Sequence, residues 1–256
     1  DLKRYEEYAF SSPLRLLVTG SYGFVGTSFV QFLRAAGHEV VHLVRGNSSH
    51  HHSISWDINK GTAPLEELEG FDAVVHLAGE SLAKGFWTAS KKRRILESRK
   101  MGTARLVSLL KKLKNPPKIF LSASAVGYYG SSDFPLTEES PSGTSFLSQV
   151  CQGWEEASKP LEIIGVRVVH ARFGIILSPR GGLLRAILPI FRLGFGGRIG
   201  NGKQKMPWVS LEDVLGSLYH ILYQKKMQGA VNIVAPFPVS QEIFAKTLAK
   251  VLDRKS

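Results

Sequence analysis

The chain has 256 residues, of which 43% are hydrophobic and 21% charged, with a formal net charge of +12 and a single cysteine, Cys151. A chain of this length buries roughly three quarters of its unfolded surface and suits one main domain. No apolar run approaches the ~20 residues of a membrane span, and one cysteine excludes an internal disulfide and the stapled secreted folds that need one.

A soluble protein of the reducing cytoplasm, with no membrane span, is therefore expected. Residues 1–13 carry no signal-peptide pattern and read as a charged, aromatic linker or tail. Position matters more than size for the charge. Twelve Lys or Arg against one acid, Glu97, fall between Lys84 and Lys118, and the rest of the chain is nearly neutral. A nucleic-acid partner is disfavoured, because only Phe86 and Trp87 stand near these cations and stacking residues do not interleave with them.

From Leu14 to about Phe173, short β-rich apolar runs alternate with helical patterns, which predicts βαβ units and a parallel sheet. Strands are expected at Arg15 to Thr19, Glu39 to Val44, Ile54 to Asp57, Ala73 to Leu77, Lys118 to Ser122 and Gly165 to Arg172. Helices are expected to start near Phe24, Thr88 and Phe146. Beyond residue 173 the sequence becomes rich in Gly and Pro and predicts a loop and helix cap over the carboxyl edge of the sheet. Helices at Leu211 to Gln224 and Gln241 to Leu252 bracket a short strand at Val231 to Val234. The fold class is thus α/β, a Rossmann-type doubly wound parallel sheet over residues 14–256, with a small C-terminal substrate-side cap mainly within residues 174–256. The run His50 to His52 lacks the spacing for convergent metal ligands, and no metal is expected.

Gly20, Gly23 and Gly26 follow an apolar strand and open a helix through Phe24 and Val25, with Tyr22 inside the loop. Glycines there allow a tight turn and close backbone approach to a pyrophosphate seated on free helix N–H groups. An acid about 20 residues further on would hold a ribose 2′-hydroxyl, but no Asp or Glu occurs from Val40 to Trp56 and Arg45 ends the second strand. NADP(H) is therefore expected in preference to NAD(H).

The segments VTGSYGFVG, HLAGE (His76 to Glu80), SRKMGT (Ser98 to Thr103), SASAVGYYG (Ser122 to Gly130), WEEA (Trp154 to Ala157) and GNGKQKMPWVSLEDV (Gly200 to Val214) together resemble the extended short-chain dehydrogenase/reductases. The resemblance is to their atypical NAD-dependent epimerase subgroup, also labelled nucleoside-diphosphate-sugar epimerase or SulA-like. It implies that Leu77, Ala78 and Gly79 pass beneath the cofactor, that Asp57 and Ile58 lie near the adenine, that Ser122 adjoins the cofactor, and that Ser124 matches the catalytic serine. It also brings Trp208 near the substrate, where its flat face either stacks on a sugar ring or plugs the core.

Active members of the wider family pair a Tyr with a Lys four residues on, which lowers the phenol pKa. Here no Tyr is followed by a Lys four residues on, and Phe146 and Val150 stand in those places if Phe146 is aligned with the tyrosine. Tyr128 or Tyr129 as acid, Glu80 as base and Cys151 are substitutes, each with a plainer structural reading. Arg99 falls on the inward stripe of the basic helix with Ile95, Gly102, Leu106 and Leu109, so its charge needs a partner there: Glu80, a cofactor phosphate or a substrate anion. Two readings follow. The first is an NADP(H)-binding oxidoreductase or epimerase-like enzyme acting on a small polar substrate, a nucleotide sugar among the candidates. The second is a catalytically silent NADP(H)-binding sensor or scaffold. A homodimer is compatible with both.

Overall fold

The computed structural model describes residues 12–46, 52–82 and 85–254. Seven parallel strands form the central sheet: β1 (Arg15–Thr19), β2 (Glu39–Arg45), β3 (Ser53–Trp56), β4 (Ala73–His76), β5 (Ile119–Ala125), β6 (Arg167–Phe173) and β10 (Gly229–Ile233), in the order β10-β6-β5-β4-β1-β2-β3. Their side chains alternate between faces, as the two-residue strand period requires. Leu16, Val18, Ala73, Val75, Ile119 and Leu121 join one apolar cluster, whereas Leu17, Val74 and Phe120 join the other.

Each face is covered by helices whose apolar residues recur at helical spacing. Helix α1 (Phe24–Ala35) buries Phe29, Val30 and Leu33 on the first face, beside Val214 and Leu218 of a later helix, α5 (Leu211–Tyr223). Helix α2 (Ala89–Leu110) buries Leu106, Val107, Leu109 and Leu110 on the second. Because β1 sends its chain to one face and β4, its neighbour, to the other, a crevice opens between their carboxyl ends. Helix α3 (Phe146–Glu156) packs beside α2. Ser and Thr side chains cap α2, α3, α5 and α6 (Gln241–Val251), through Thr88, Ser145, Ser210 and Ser240. By contrast α1 starts at Gly23 with no side-chain cap and no acid in its first turn, so its leading N–H groups stay open toward the crevice.

The cap combines α4 (Gly182–Arg192), α6 and two small sheets, β7 (Ile175–Ser178) with β9 (Trp208–Ser210) and β8 (Lys205–Met206) with β11 (Val239–Ser240). It has its own small core, where Phe191 meets Ala245 and Ala249. Several boundaries differ from the sequence expectation by one to three residues. Strand β5 runs on to Ala125 because its pairing with β6 continues through Ser124↔Arg172 and Ala125↔Phe173. Strand β10 starts at Gly229, which pairs with Val169. Strand β4 stops at His76, and Leu77 is already in the crevice.

The sheet is cross-linked to α2 through a buried imidazole. Nδ1 of His76 lies 2.7 Å from Thr19 Oγ1 and Nε2 lies 2.9 Å from Thr103 Oγ1, so both ring nitrogens are engaged without a charge. Burial, reinforced by the nearby Arg99 guanidinium, lowers the His76 pKa to about 4. An unfolded imidazole titrates near 6.5; between those values the unfolded chain holds more protons, and stability falls as pH drops. The loss is on the order of 3 kcal/mol once pH is below both values. Urea unfolding at pH 7, 5.5 and 4.5 is expected to show this decline, and His76→Gln, although less stable at pH 7, is expected to show a shallower pH slope.

Candidate functional site

The crevice is built first from bare backbone. Gly20 has φ of +66°, and a Cβ added there would lie 2.6 Å from the Leu77 carbonyl and the Ala78 nitrogen. At Gly26 an added Cβ would meet the Gly20 carbonyl oxygen at 2.2 Å. The loop is thereby pressed against the end of β4 and against the first turn of α1, where Gly23 N–H donates to the Gly20 carbonyl at 2.9 Å. Only glycine satisfies both approaches.

A cleft of about 530 Å³ opens over this cradle. It gathers Gly20, Tyr22, Gly23, Arg45, Ile58, Leu77, Ala78, Gly79 and Glu80, and among the residues not anticipated Ser21, Trp56, His76 and Ser98. Phe24, Val25 and Gly26 form the first turn of α1 beneath it. Tyr22 stacks on His42, with ring centroids 5.2 Å apart and 7° between planes. The exposed Arg45 also borders an adjoining open groove of about 920 Å³ with Asp57 and Ile58. The Asp57 carboxylate accepts from the backbone N–H groups of Lys60 and Asn59, which hold its pKa below the usual carboxylate range. It thus shapes the turn at the groove.

The residues fit a dinucleotide on two independent observations. The backbone approaches at Gly20 and Gly26 leave no space for a side chain, and the buried Ser21 hydroxyl, which lines the cleft, has no hydrogen-bond partner among the described residues. A buried hydroxyl without a partner is costly. Phosphate oxygens above the open N–H groups of α1 would supply one.

At the other end of the cleft, positive charge surrounds Gly79 and Glu80. Arg99 is buried, donates from Nη1 to the carbonyls of Glu80 at 3.1 Å and Ile95 at 3.3 Å, and lies 4.8 Å from the Trp154 ring. Its partners are thus backbone oxygens and an aromatic face. The guanidinium backs Gly79, where a Cβ would meet it at 3.1 Å. The Glu80 carboxylate accepts from Lys91 Nζ at 2.6 Å, which lowers its pKa. Ser98 Oγ accepts from the Glu80 N–H.

Ser122 is wholly buried in β5 and does not line the cleft. Ser124 is nearly as buried, and its hydroxyl donates to Glu155 Oε1 at 2.7 Å. Glu155 is gripped by Arg172, Nε to Oε1 at 2.9 Å and Nη2 to Oε2 at 2.8 Å. The Arg172 guanidinium lies 3.6 Å from the Tyr128 ring centroid and also donates to the Tyr129 hydroxyl, which in turn donates to Asn232. Phe146 and Val150 open α3, Val150 in the core and Phe146 against Trp87. Burial, followed by the Glu155 carboxylate, raises the Cys151 thiol pKa. Trp208 is half-buried in the cap and donates its indole N–H to the Phe237 carbonyl. Among the described residues no cluster of His, Cys, Asp and Glu could hold a metal ion; His50 and His51 lie outside them.

Residues 16–234 match the NAD dependent epimerase/dehydratase family. The chain belongs to that family. It is 36% identical over 238 residues to an epimerase family protein of Mycobacterium tuberculosis, covering 93% of this chain and 78% of that one. The crystal structure of the human epimerase family protein SDR39U1 with NADPH is 33% identical, with a TM-score of 0.85 over 94% of this chain and 81% of that chain. A nucleoside-diphosphate sugar epimerase from Corynebacterium glutamicum is 36% identical, with a TM-score of 0.84 over 98% of this chain and 54% of its own.

Within this family frame, some cleft and edge residues were legible and some were not. Ser21 sits inside the glycine loop, which was its signal. Glu155 lies in the WEEA motif, and Arg172 is a lone cation near the end of an apolar strand, a pattern that asks for a buried partner. Removing that partner is expected to be severe. Glu155→Ala should lower unfolding stability in urea by about 3 to 5 kcal/mol, and Glu155→Leu combined with Arg172→Met should restore most of it, because the pair rather than either charge is tolerated.

Proposed function

We propose that the protein is an NADP(H)-binding oxidoreductase or epimerase-like enzyme acting on a small polar substrate. The observation that carries this reading is the glycine cradle under an uncapped α1, with Arg45 at the end of β2 and no carboxylate from Val40 to Trp56. Gly20, Tyr22, Gly23, Phe24, Val25 and Gly26 would seat the pyrophosphate, and Arg45 the 2′-phosphate. Asp57 and Ile58 would flank the adenine, while Leu77, Ala78 and Gly79 would underlie the nicotinamide half, with Ser122 behind. The bound cofactor would supply the hydride chemistry. The NADPH complex of the human relative supports the choice of nucleotide.

The chain's own part is placement and proton handling. Ser124, at the carboxyl edge of β5, would orient the reacting oxygen once its hydroxyl turns from Glu155. Tyr128, ring against Arg172, is the candidate acid. Glu80 is assigned to electrostatics or proton uptake, and its ion pair with Lys91 favours the former. Arg99 and Trp208 are assigned to the substrate, Arg99 as positive potential beneath Gly79. The second reading, a silent sensor, is favoured by one observation: no Tyr is followed by a Lys four residues on anywhere in the sequence, so the usual proton relay is missing.

Calorimetry decides the cofactor. NADPH is expected to bind more tightly than NADH, and Arg45→Ala is expected to lower NADPH affinity roughly tenfold or more, consistent with a charge-assisted hydrogen bond, while leaving NADH affinity unchanged. Equal binding of both nucleotides, insensitive to Arg45, would refute the assignment.

A further inference from the structure

Behind the wall of the cleft stands a charge that the roles above do not use toward the cofactor. Gly79 lines the cleft and Arg99 does not, but a Cβ added at Gly79 would meet Arg99 Cζ, Nη2 and Nη1 at 3.1, 3.2 and 3.3 Å. Three such similar distances mean that the guanidinium lies face-on to Gly79. Any side chain at 79 would push the charge away from the wall. A guanidinium keeps its proton inside a protein, and this one is buried, so salt screens it little. Among the described residues its hydrogen bonds go to carbonyl oxygens alone. Nearby groups do not cancel it. Glu80 is the one acid among the described residues lining the cleft, and its carboxylate is spent on Lys91 Nζ at 2.6 Å, with Arg94 Nε at 4.0 Å. His76 is neutral, with its pKa lowered to about 4, and Glu155 is matched by Arg172. Positive charge is therefore in excess at this end of the cleft.

Such an excess discriminates between the two oxidation states of one ligand. Oxidised and reduced nicotinamide nucleotides carry the same phosphates and differ by one positive charge on the ring. Attraction of the phosphates, including that of the 2′-phosphate to Arg45, is common to both forms and cancels when they are compared. Repulsion of the charged ring does not cancel. Two like unit charges about 7 to 10 Å apart, at an effective dielectric constant of about 20, shift an equilibrium by roughly tenfold or more. We propose that Arg99, acting through the bare backbone of Gly79, makes the site selective for the reduced cofactor, so that the protein fills with NADPH, the hydride-donating form, and disfavours NADP+. The inference rests on the reading of the cleft as a nicotinamide-nucleotide seat with the nicotinamide half over Leu77 to Gly79.

The test is a calorimetric titration of the protein with NADPH, with NADP+ and with 2′-phospho-ADP-ribose, which lacks the nicotinamide. NADPH is expected to bind about tenfold or more tighter than NADP+. Arg99→Met is expected to bring that ratio close to one, and Arg99→Lys, which keeps the charge, to preserve most of it. Binding of 2′-phospho-ADP-ribose reports any uniform loss of anion attraction, which leaves the ratio untouched. Glu80→Gln changes a half-exposed side chain, so it reads the same field even if Arg99→Met does not fold, and it is expected to widen the ratio. Equal affinities for NADPH and NADP+ in the parent, a ratio unchanged by Arg99→Met, or a ratio narrowed by Glu80→Gln would each overturn the inference while leaving the nucleotide seat intact, since both forms would still bind. Absence of uptake of NADPH and of 2′-phospho-ADP-ribose would overturn the seat itself, and the inference with it.

Discussion

The contact on which the rest of the structure depends is backbone against backbone. At Gly20 the loop leaving β1 lies so close to Leu77 and Ala78 that a single methyl group would not fit, and at Gly26 the first turn of α1 closes on Gly20 in the same way. These approaches hold the amino end of α1 over the carboxyl ends of β1 and β4. An anion seat follows from that placement, because the leading N–H groups of an uncapped helix carry a partial positive charge and lack acceptors. The remaining cleft residues, from Tyr22 to Glu80, are arranged around it.

Charge inside the molecule is handled in three different ways. Glu155 and Arg172 form a buried, two-point pair that draws in Ser124, so α3, β5 and β6 are tied at the sheet's carboxyl edge. Among the described residues Arg99 has no hydrogen bond to a carboxylate and is accommodated by two carbonyl oxygens and the Trp154 face. His76 avoids charge altogether, its two nitrogens satisfied by threonines and its proton affinity suppressed by burial. The positive Arg99 and neutral His76 are compatible with each other for that reason, and together they leave the floor of the cleft cationic.

This electrostatic layout bears on the chemistry. In the proposed enzyme, proton transfer has to be assembled from groups other than a Tyr/Lys pair, since no Tyr in the sequence is followed by a Lys four residues on. The polar groups that the fold does bring to the carboxyl edge are Ser124, Tyr128 and Tyr129, all touching the Glu155 and Arg172 pair directly or through one contact. Rearrangement of that pair and presentation of the serine hydroxyl are therefore linked.

Much of this was determined by local sequence. Alternating apolar runs and Ser or Thr caps give most strands of the central sheet and the helix starts within a residue or two, whereas the small strands of the cap were not anticipated, and the strand, glycine loop and helix of residues 15–35 form because each choice is satisfied by neighbours in the chain. Arg45 and the missing acid after it are likewise legible from order alone. The partners of buried charges were not. Whether Arg99 meets a carboxylate, a carbonyl or a ring, and whether Ser124 faces the cleft or Glu155, depends chiefly on contacts between residues 19 to 55 positions apart on different elements, and no local pattern encodes them. Strand β5 lengthened for the same reason: its last residues are held by hydrogen bonds to β6, which only the assembled sheet supplies.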